Sequence, residues 1–129
     1  LLITVRKADA IYQGIQIGDP WFVTPNTLRH QISLTAKQAH LDEDGFIRFV
    51  IALEDPGVPN WLDAAGNAEG YVFMRWQGAK RPITGADAPS ARLVPIASLR
   101  NNLPDNTPVV SAAERRAQLR QRKWVPQVR

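Results

Sequence analysis

There is no cysteine among the 129 residues. That removes disulfides, thiolate metal sites and cysteine nucleophiles, and it leaves the redox compartment open, because a cysteine-free chain is at home in either. Long apolar runs are missing too: nowhere do eighteen apolar residues follow one another, so no membrane span is expected. Neither Gly-x-x-x-x-Gly-Lys nor Gly-x-Gly-x-x-Gly after a strand occurs, which sets nucleotide enzymes aside. Ser33, Ser90, Ser98 and Ser111 lack a Gly-x-Ser-x-Gly context, so no nucleophile elbow is present. The first residue is Leu1 and the only methionine is Met74, so a fragment or processed form is expected. Leu1 to Val5 is too soon interrupted by Arg6 and Lys7 to be a signal peptide.

What is present reads as one ordinary folded domain. Hydrophobic residues make up 44% and charged residues 22%, near the averages for globular proteins. The net charge of +4 is unevenly placed. Residues 1–110 hold ten Lys/Arg against eleven Asp/Glu, a net of −1, while residues 111–129 hold six against one, a net of +5. A neutral body with a basic tail does not make the wide positive field that tracks a phosphate backbone, so nucleic-acid binding is disfavoured.

Alternation of apolar residues dominates the first three-quarters. Ile3 and Val5 share one face of a short strand, and Ile11, Ile15 and Ile17 share a face of the next. Gly14 and Gly18 lie opposite, where a bulge or a close approach is expected. Asp19-Pro20 ends that strand, and the apolar run Trp21-Phe22-Val23 is closed by the turn cluster Thr24-Pro25-Asn26. His30 to Leu34 and Gln38 to Leu41 read as strand. Asp42-Glu43-Asp44-Gly45 then reads as a solvated hairpin turn leading into Phe46 to Leu53, the strongest strand pattern in the chain, both of whose faces are expected to be covered. Tyr71 to Trp76 and Arg92 to Ile96 complete about seven strands, punctuated by ten prolines and eight glycines. That spacing predicts a mainly β fold, an antiparallel β-sandwich or jelly roll over 1–110.

The ending differs in kind. Ser111-Ala112-Ala113-Glu114 is a capping box and predicts a helix start. On that helix Ala113, Ala117 and Trp124 fall on one side, Arg115, Arg122 and Glu114 point elsewhere, and Pro126 stops it. The basic residues Arg115, Arg116, Arg120, Arg122 and Lys123 read as a solvated face or a docking segment for another subunit.

Candidate chemistry is thin. His30 and His40 are the only imidazoles, and neighbouring strands can bring them to one sheet face, but two histidines make a weak site. Asp42 to Gly45 lacks the twelve-residue spacing and distal glutamate of a calcium loop, so no metal is assigned there. Asp55 and Asp63 bracket Pro-Gly-Val-Pro-Asn-Trp, where paired carboxylates serve acid–base work or, more simply, accept amide bonds within the loop. Trp61 and Trp76, with Trp21, Phe22 and Tyr71, are either core or the lining of an apolar or sugar-stacking pocket. No cofactor is expected.

The order of features carries a resemblance. A strand ending in Asp19-Pro20-Trp21-Phe22, then Asn26 to Leu34, Asp42 to Gly45 with its long strand, the Asp55 to Asp63 loop containing Asn60-Trp61-Leu62, Gly66 or Gly70, and a strand ending Arg75-Trp76 together resemble the bacterial domain-of-unknown-function family 1214. The likeness covers roughly residues 11–104 and leaves out the basic tail. It implies a jelly-roll-like β-sandwich that forms the C-terminal part of a longer protein, and it brings no established reaction. Asp55, Asn60, Trp61, Asp63, Arg75 and Trp76 are therefore candidate ligand or loop-bracing residues, with His30 and His40 beside them. The expected role is a non-catalytic module that binds a ligand or packs on an upstream domain, or self-associates through the C-terminal helix. The alternative is a hydrolase-like enzyme for a small apolar or sugar-like substrate, in a cleft shared with upstream sequence.

Overall fold

The structure, a computed structural model, describes residues 1–122. Seven strands and one helix are formed: β1 (Leu2–Arg6), β2 (Tyr12–Gly18), β3 (Ser33–Thr35), β4 (Phe46–Ala52), β5 (Trp61–Asp63), β6 (Tyr71–Gln77), β7 (Ser90–Arg92) and α1 (Ala112–Arg122). They make two sheets, one ordered β5-β4-β1-β7 and the other β3-β2-β6. All pairings are antiparallel except β4 with β5, which is parallel, so the first sheet is mixed rather than purely antiparallel.

Alternation along the strands builds a shared core. Ile3 and Val5 of β1, Ile47 and Phe49 of β4 and Leu62 of β5 point to one side of the first sheet, where they meet Ile15, Ile17 and Leu34 of the second, with Ile32. The opposite side of the first sheet is covered as well: Leu2 and Val50 pack there with Val58, Trp61, Leu99 and Leu103. β4 is buried on both faces because the segment around Leu99 to Leu103 lies across it, which agrees with its nearly continuous apolar pattern. Arg100 holds this segment by donating to the carbonyls of Thr107 at 2.7 Å, Pro108 at 3.1 Å and Gly57 at 3.2 Å.

Several sequence expectations give way here. Ile11 lies outside β2 and is exposed, and Gln13 takes the inward position beside Ile15 instead. Its buried amide accepts from the Ala8 N–H at 2.8 Å and donates to the Arg6 carbonyl at 3.0 Å, so the polar group is satisfied. No bulge interrupts β2 at its glycines, since seven consecutive residues pair with β6. The rings of Tyr12 and Tyr71 occupy the space over Gly14 and Gly18. Residues 38–41 are not a strand, and β4 pairs with β1 and β5, so the expected hairpin is only its turn. That turn is real: Gly45 has φ +82°, and the Asp42 N–H donates to Phe46 O at 2.9 Å. Its stem is missing because the sheet position beside β4 is taken by the N-terminal strand. Strand pairing near the end of the body falls on Ser90–Arg92, whereas Ile96–Ser98 is a turn of 3-10 helix.

The capping box of α1 is formed on both sides. The Ser111 N–H donates to Glu114 Oε2 at 2.7 Å, and the Glu114 N–H donates to Ser111 Oγ at 3.2 Å. Lys123, Trp124 and Pro126, which carried the expected helix stop, lie outside the described residues. No helix among the described residues is long and apolar enough to cross a membrane.

Candidate functional site

The loop between β4 and β5 is held from three directions, and the C-terminal helix supplies one of them. Within the loop, Asp55 Oδ1 accepts the Gly57 N–H at 2.9 Å, a short aspartate turn. Across it, the Arg115 Nε donates to Asp55 Oδ2 at 2.9 Å and its Nη2 to Oδ1 at 3.3 Å, a two-pronged pairing that suits a planar guanidinium. The same Nη2 donates to the Val58 carbonyl, Nη1 donates to Gln118 Oε1 at 3.1 Å, and the guanidinium carbon lies 5.3 Å from the ring centroid of Trp61. Arg115 is thereby only 4% exposed. The helix docks through this arginine rather than through its alanines, which corrects the expected orientation: Ala112 and Ala113 are exposed while Arg115 faces the body. Two turns further on, Arg122 donates to the carbonyls of His30 at 3.2 Å and Ser33 at 3.1 Å.

Asn60 and Trp61 are structural in their contacts. The buried Asn60 side chain forms a reciprocal pair with the backbone of one residue: Oδ1 accepts the His40 N–H at 2.7 Å and Nδ2 donates to the His40 carbonyl at 2.8 Å. Trp61 is buried, its Nε1 donates to Ala52 O at 3.1 Å, and its own carbonyl accepts from the buried Gln31 Nε2 at 2.7 Å. These bonds fasten the loops before β3 and β4 to the edge strand β5.

The two histidines do not converge. His30 and His40 sit in loops rather than on strands, and each meets a different carboxylate. His30 Nδ1 lies 2.6 Å from Asp63 Oδ2, while Asp63 Oδ1 accepts the Ala65 N–H at 2.8 Å. His40 Nε2 lies 3.4 Å from Asp42 Oδ1, longer than a good charge-assisted hydrogen bond. Asp42 is buried, not solvated as expected for a turn residue, because Arg48 reaches over from β4 and donates to its Oδ2 at 2.7 Å. Arg48 also binds Asp44 Oδ2 at 2.7 Å. This bond holds the Asp44 carboxyl below its ordinary range and the guanidinium above its own.

Arg75 and Trp76 belong elsewhere. Both lie on β6, Arg75 exposed on the outer face and Trp76 turned inward against the core, where its Nε1 is buried without a partner among the described residues. The Arg75 side chain makes no ion pair or hydrogen bond with the described residues. The six candidate loop residues thus divide: Asp55, Asn60, Trp61 and Asp63 are tied together through β5, and the other two belong to the second sheet. Arg115, Gln31 and Asp42 were missed as members of these networks. Only Asp42 had a visible signal, a carboxylate six residues before an arginine across a glycine turn.

Two surface features lie near β6. An open cleft of about 480 Å³ runs between Ile17 and Tyr71 of the second sheet and Ile51 of the first, with Pro25, Leu53 and Leu93 at its walls. Beside it, Trp21 and Phe22 are 83% and 79% exposed. Their loop is nonetheless built: Asp19 Oδ1 accepts the N–H groups of both Trp21 and Val23 at 2.9 Å, the Phe22 N–H donates to Asp19 O at 3.2 Å, and Phe22 takes φ +62°. The Phe22 ring stacks on Tyr71 with centroids 4.7 Å apart and planes 12° from parallel. Of the five aromatics expected to share a pocket, Trp21, Phe22 and Tyr71 do share a surface, and Trp61 and Trp76 do not.

Among the described residues no three histidine or acidic side chains gather in a way that could hold a metal ion. No family model matches the chain, and no curated protein matches it. The crystal structure of an uncharacterized protein from Burkholderia cenocepacia is similar to it, with 28% sequence identity and a TM-score of 0.69 over 75% of this chain. The match covers 26% of that protein, so the chain spans about a quarter of the length of the structure that it resembles.

Proposed function

We propose that the chain is a non-catalytic, jelly-roll-like β-sandwich module that packs on a companion domain of a longer bacterial protein. The observation that carries this reading is the Asp19 to Val23 loop, which holds Trp21 and Phe22 out in solvent with its own hydrogen bonds and a non-glycine residue at positive φ. Such a conformation costs on the order of 1–3 kcal/mol and persists where its surroundings over-determine it, often at functional sites. Exposed aromatics that are already ordered lose little entropy on docking, and tryptophan is the residue type most enriched among interface anchors. The cleft beside them is apolar and open, suited to receive a side chain from the facing surface. The size of the Burkholderia protein, of which three-quarters lies outside the match, agrees with a domain of this kind in a longer chain.

Its test is a comparison of contexts. Trp21→Ser with Phe22→Ser should lower the melting temperature of the natural full-length polypeptide by several degrees and leave that of residues 1–129 alone nearly unchanged. Equal shifts in both would overturn the reading.

One observation favours the hydrolase-like alternative. The short His30–Asp63 contact is the orienting half of a nucleophile-activating arrangement, and His30 Nε2 makes no hydrogen bond with the described residues. Under that reading, Asp63→Asn should abolish turnover of ester or glycoside substrates by the full-length polypeptide. No turnover in the wild type removes it.

A further inference from the structure

Strand β6 is an edge of its sheet, seven residues long, paired with β2 at every position and, among the described residues, with no strand on its other side. Beyond the β2 ladder, no backbone or side-chain hydrogen bond to its main chain is formed among the described residues. Natural sheets guard such an edge with a bulge, a proline, charged side chains or a covering loop. Among the described residues β6 has only one such guard, the exposed Arg75: Tyr71-Val72-Phe73-Met74-Arg75-Trp76-Gln77 is otherwise apolar and aromatic but for one glutamine, and its register is unbroken. Val72 and Phe73 are both partly in solvent, Phe73 at 57%.

We infer that β6 is the self-association surface of this chain, pairing antiparallel with β6 of a second copy to join the two three-stranded sheets into one of six. The sequence of the strand is self-complementary about Met74. A two-fold axis there sets Phe73 opposite Arg75 of the second copy, and Arg75 opposite the second Phe73. Tyr71 faces Gln77 and Val72 faces Trp76. Residues 73 and 75 are on the outer face, so each unpaired guanidinium lies beside an exposed ring, the arrangement of a cross-strand cation–π pair. This register pairs all seven residues, and no two arginines stand directly opposite. Such an isologous contact closes on itself and leaves no further free β6 edge, which accounts for an edge guarded by a single charge. It is a different surface from the C-terminal helix, two of whose arginines, Arg115 and Arg122, are engaged with the body.

The 129-residue chain should sediment as a dimer, at twice its 14.4 kDa mass, at micromolar concentration. Phe73→Lys sets a lysine opposite the second copy's Arg75 and should give a folded monomer, since the site is exposed in the single chain, with a melting temperature that no longer depends on protein concentration as that of the wild-type dimer should. A monomeric wild type at all concentrations up to about a millimolar would overturn the inference and leave the edge to a strand from elsewhere in a longer polypeptide. So would a Phe73→Lys variant that remains dimeric. A second measurement fixes the register. Because the chain has no cysteine, mixed Phe73→Cys and Arg75→Cys proteins should form a mixed disulfide on oxidation at least tenfold faster than either variant forms one alone. Equal rates would overturn the proposed axis. Neither readout depends on Trp21 or Phe22, so its failure is distinct from failure of the companion-domain reading.

Discussion

Arg115 and Asp55 are sixty residues apart in the chain and joined by two hydrogen bonds, of 2.9 and 3.3 Å, in a site where the arginine is almost wholly out of water. This pair ties the C-terminal helix to the loop that leads into the parallel edge strand. Removing the arginine leaves a carboxylate and the Val58 carbonyl without their partner.

Arg115→Ala should therefore destabilise the chain by about 3 kcal/mol, the usual consequence of breaking a mostly buried pair from one side. Asp55→Ala should cost less, since Arg115 keeps Val58, Gln118 and the Trp61 face. In a double-mutant cycle by urea unfolding, the two should couple by about 1 kcal/mol or more. Strictly additive effects would show that the pair is incidental to stability.

Asn60 offers a sharper contrast. Its amide satisfies both the N–H and the carbonyl of His40, so it needs a donor and an acceptor at once. Asn60→Asp keeps the shape but loses the donor and buries a charge, and should cost about 2–4 kcal/mol in chemical denaturation. A loss below about 0.5 kcal/mol is incompatible with the reciprocal bonding.

Two glycines with crowded surroundings should respond differently to alanine. At Gly70 the obstacle is the backbone carbonyl of Gly18, which cannot step aside without breaking the entry to β6. At Gly14 it is the far end of the half-exposed Tyr12 ring, which can swing outward. Gly70→Ala should cost about 2 kcal/mol or more and Gly14→Ala under about 1 kcal/mol, by the general penalty for overpacking. Thermal melts of the two variants check the order.

Stability should fall in acid for a local reason. Hydrogen bonds from Arg48 and the Phe46 N–H hold the Asp44 carboxyl below its ordinary value, and the Ser111 N–H and hydroxyl do the same for Glu114. A depressed carboxylate contributes stability above the unfolded-state value, about 4 for both residue types, and the contribution is lost as pH falls through the lower folded-state value. Helical circular dichroism should therefore decline below about pH 4 in the wild type, and Glu114→Gln should flatten that decline. A helix signal equally pH-dependent in the variant would point to other groups.

Much of the fold was legible because alternation is a local property. Ile3 with Val5, Ile15 with Ile17, and the run Phe46 to Ala52 announce their strands in the residues themselves, and Ser111 with Glu114 announces the helix start. The candidate site was less legible. Asp55 and Asn60 lie in the loop before β5, and Trp61 and Asp63 on β5 itself; Arg75 was grouped with them, although the guanidinium that reaches that loop belongs to Arg115. An arginine on a strand and one on a helix look alike until the distance between them and a carboxylate is known.

Residue order by itself determined that the segments around β1, β2, β4 and β6 extend, where the chain turns at Gly45 and how the helix begins, since each depends on neighbours within a few positions. Tertiary structure decided that β4 lies between β1 and β5 rather than in a hairpin, that the helix docks by Arg115, and that β6 is left at an edge. Those outcomes depend on which distant surfaces compete for the same partner, and that competition is settled only when the whole chain is packed.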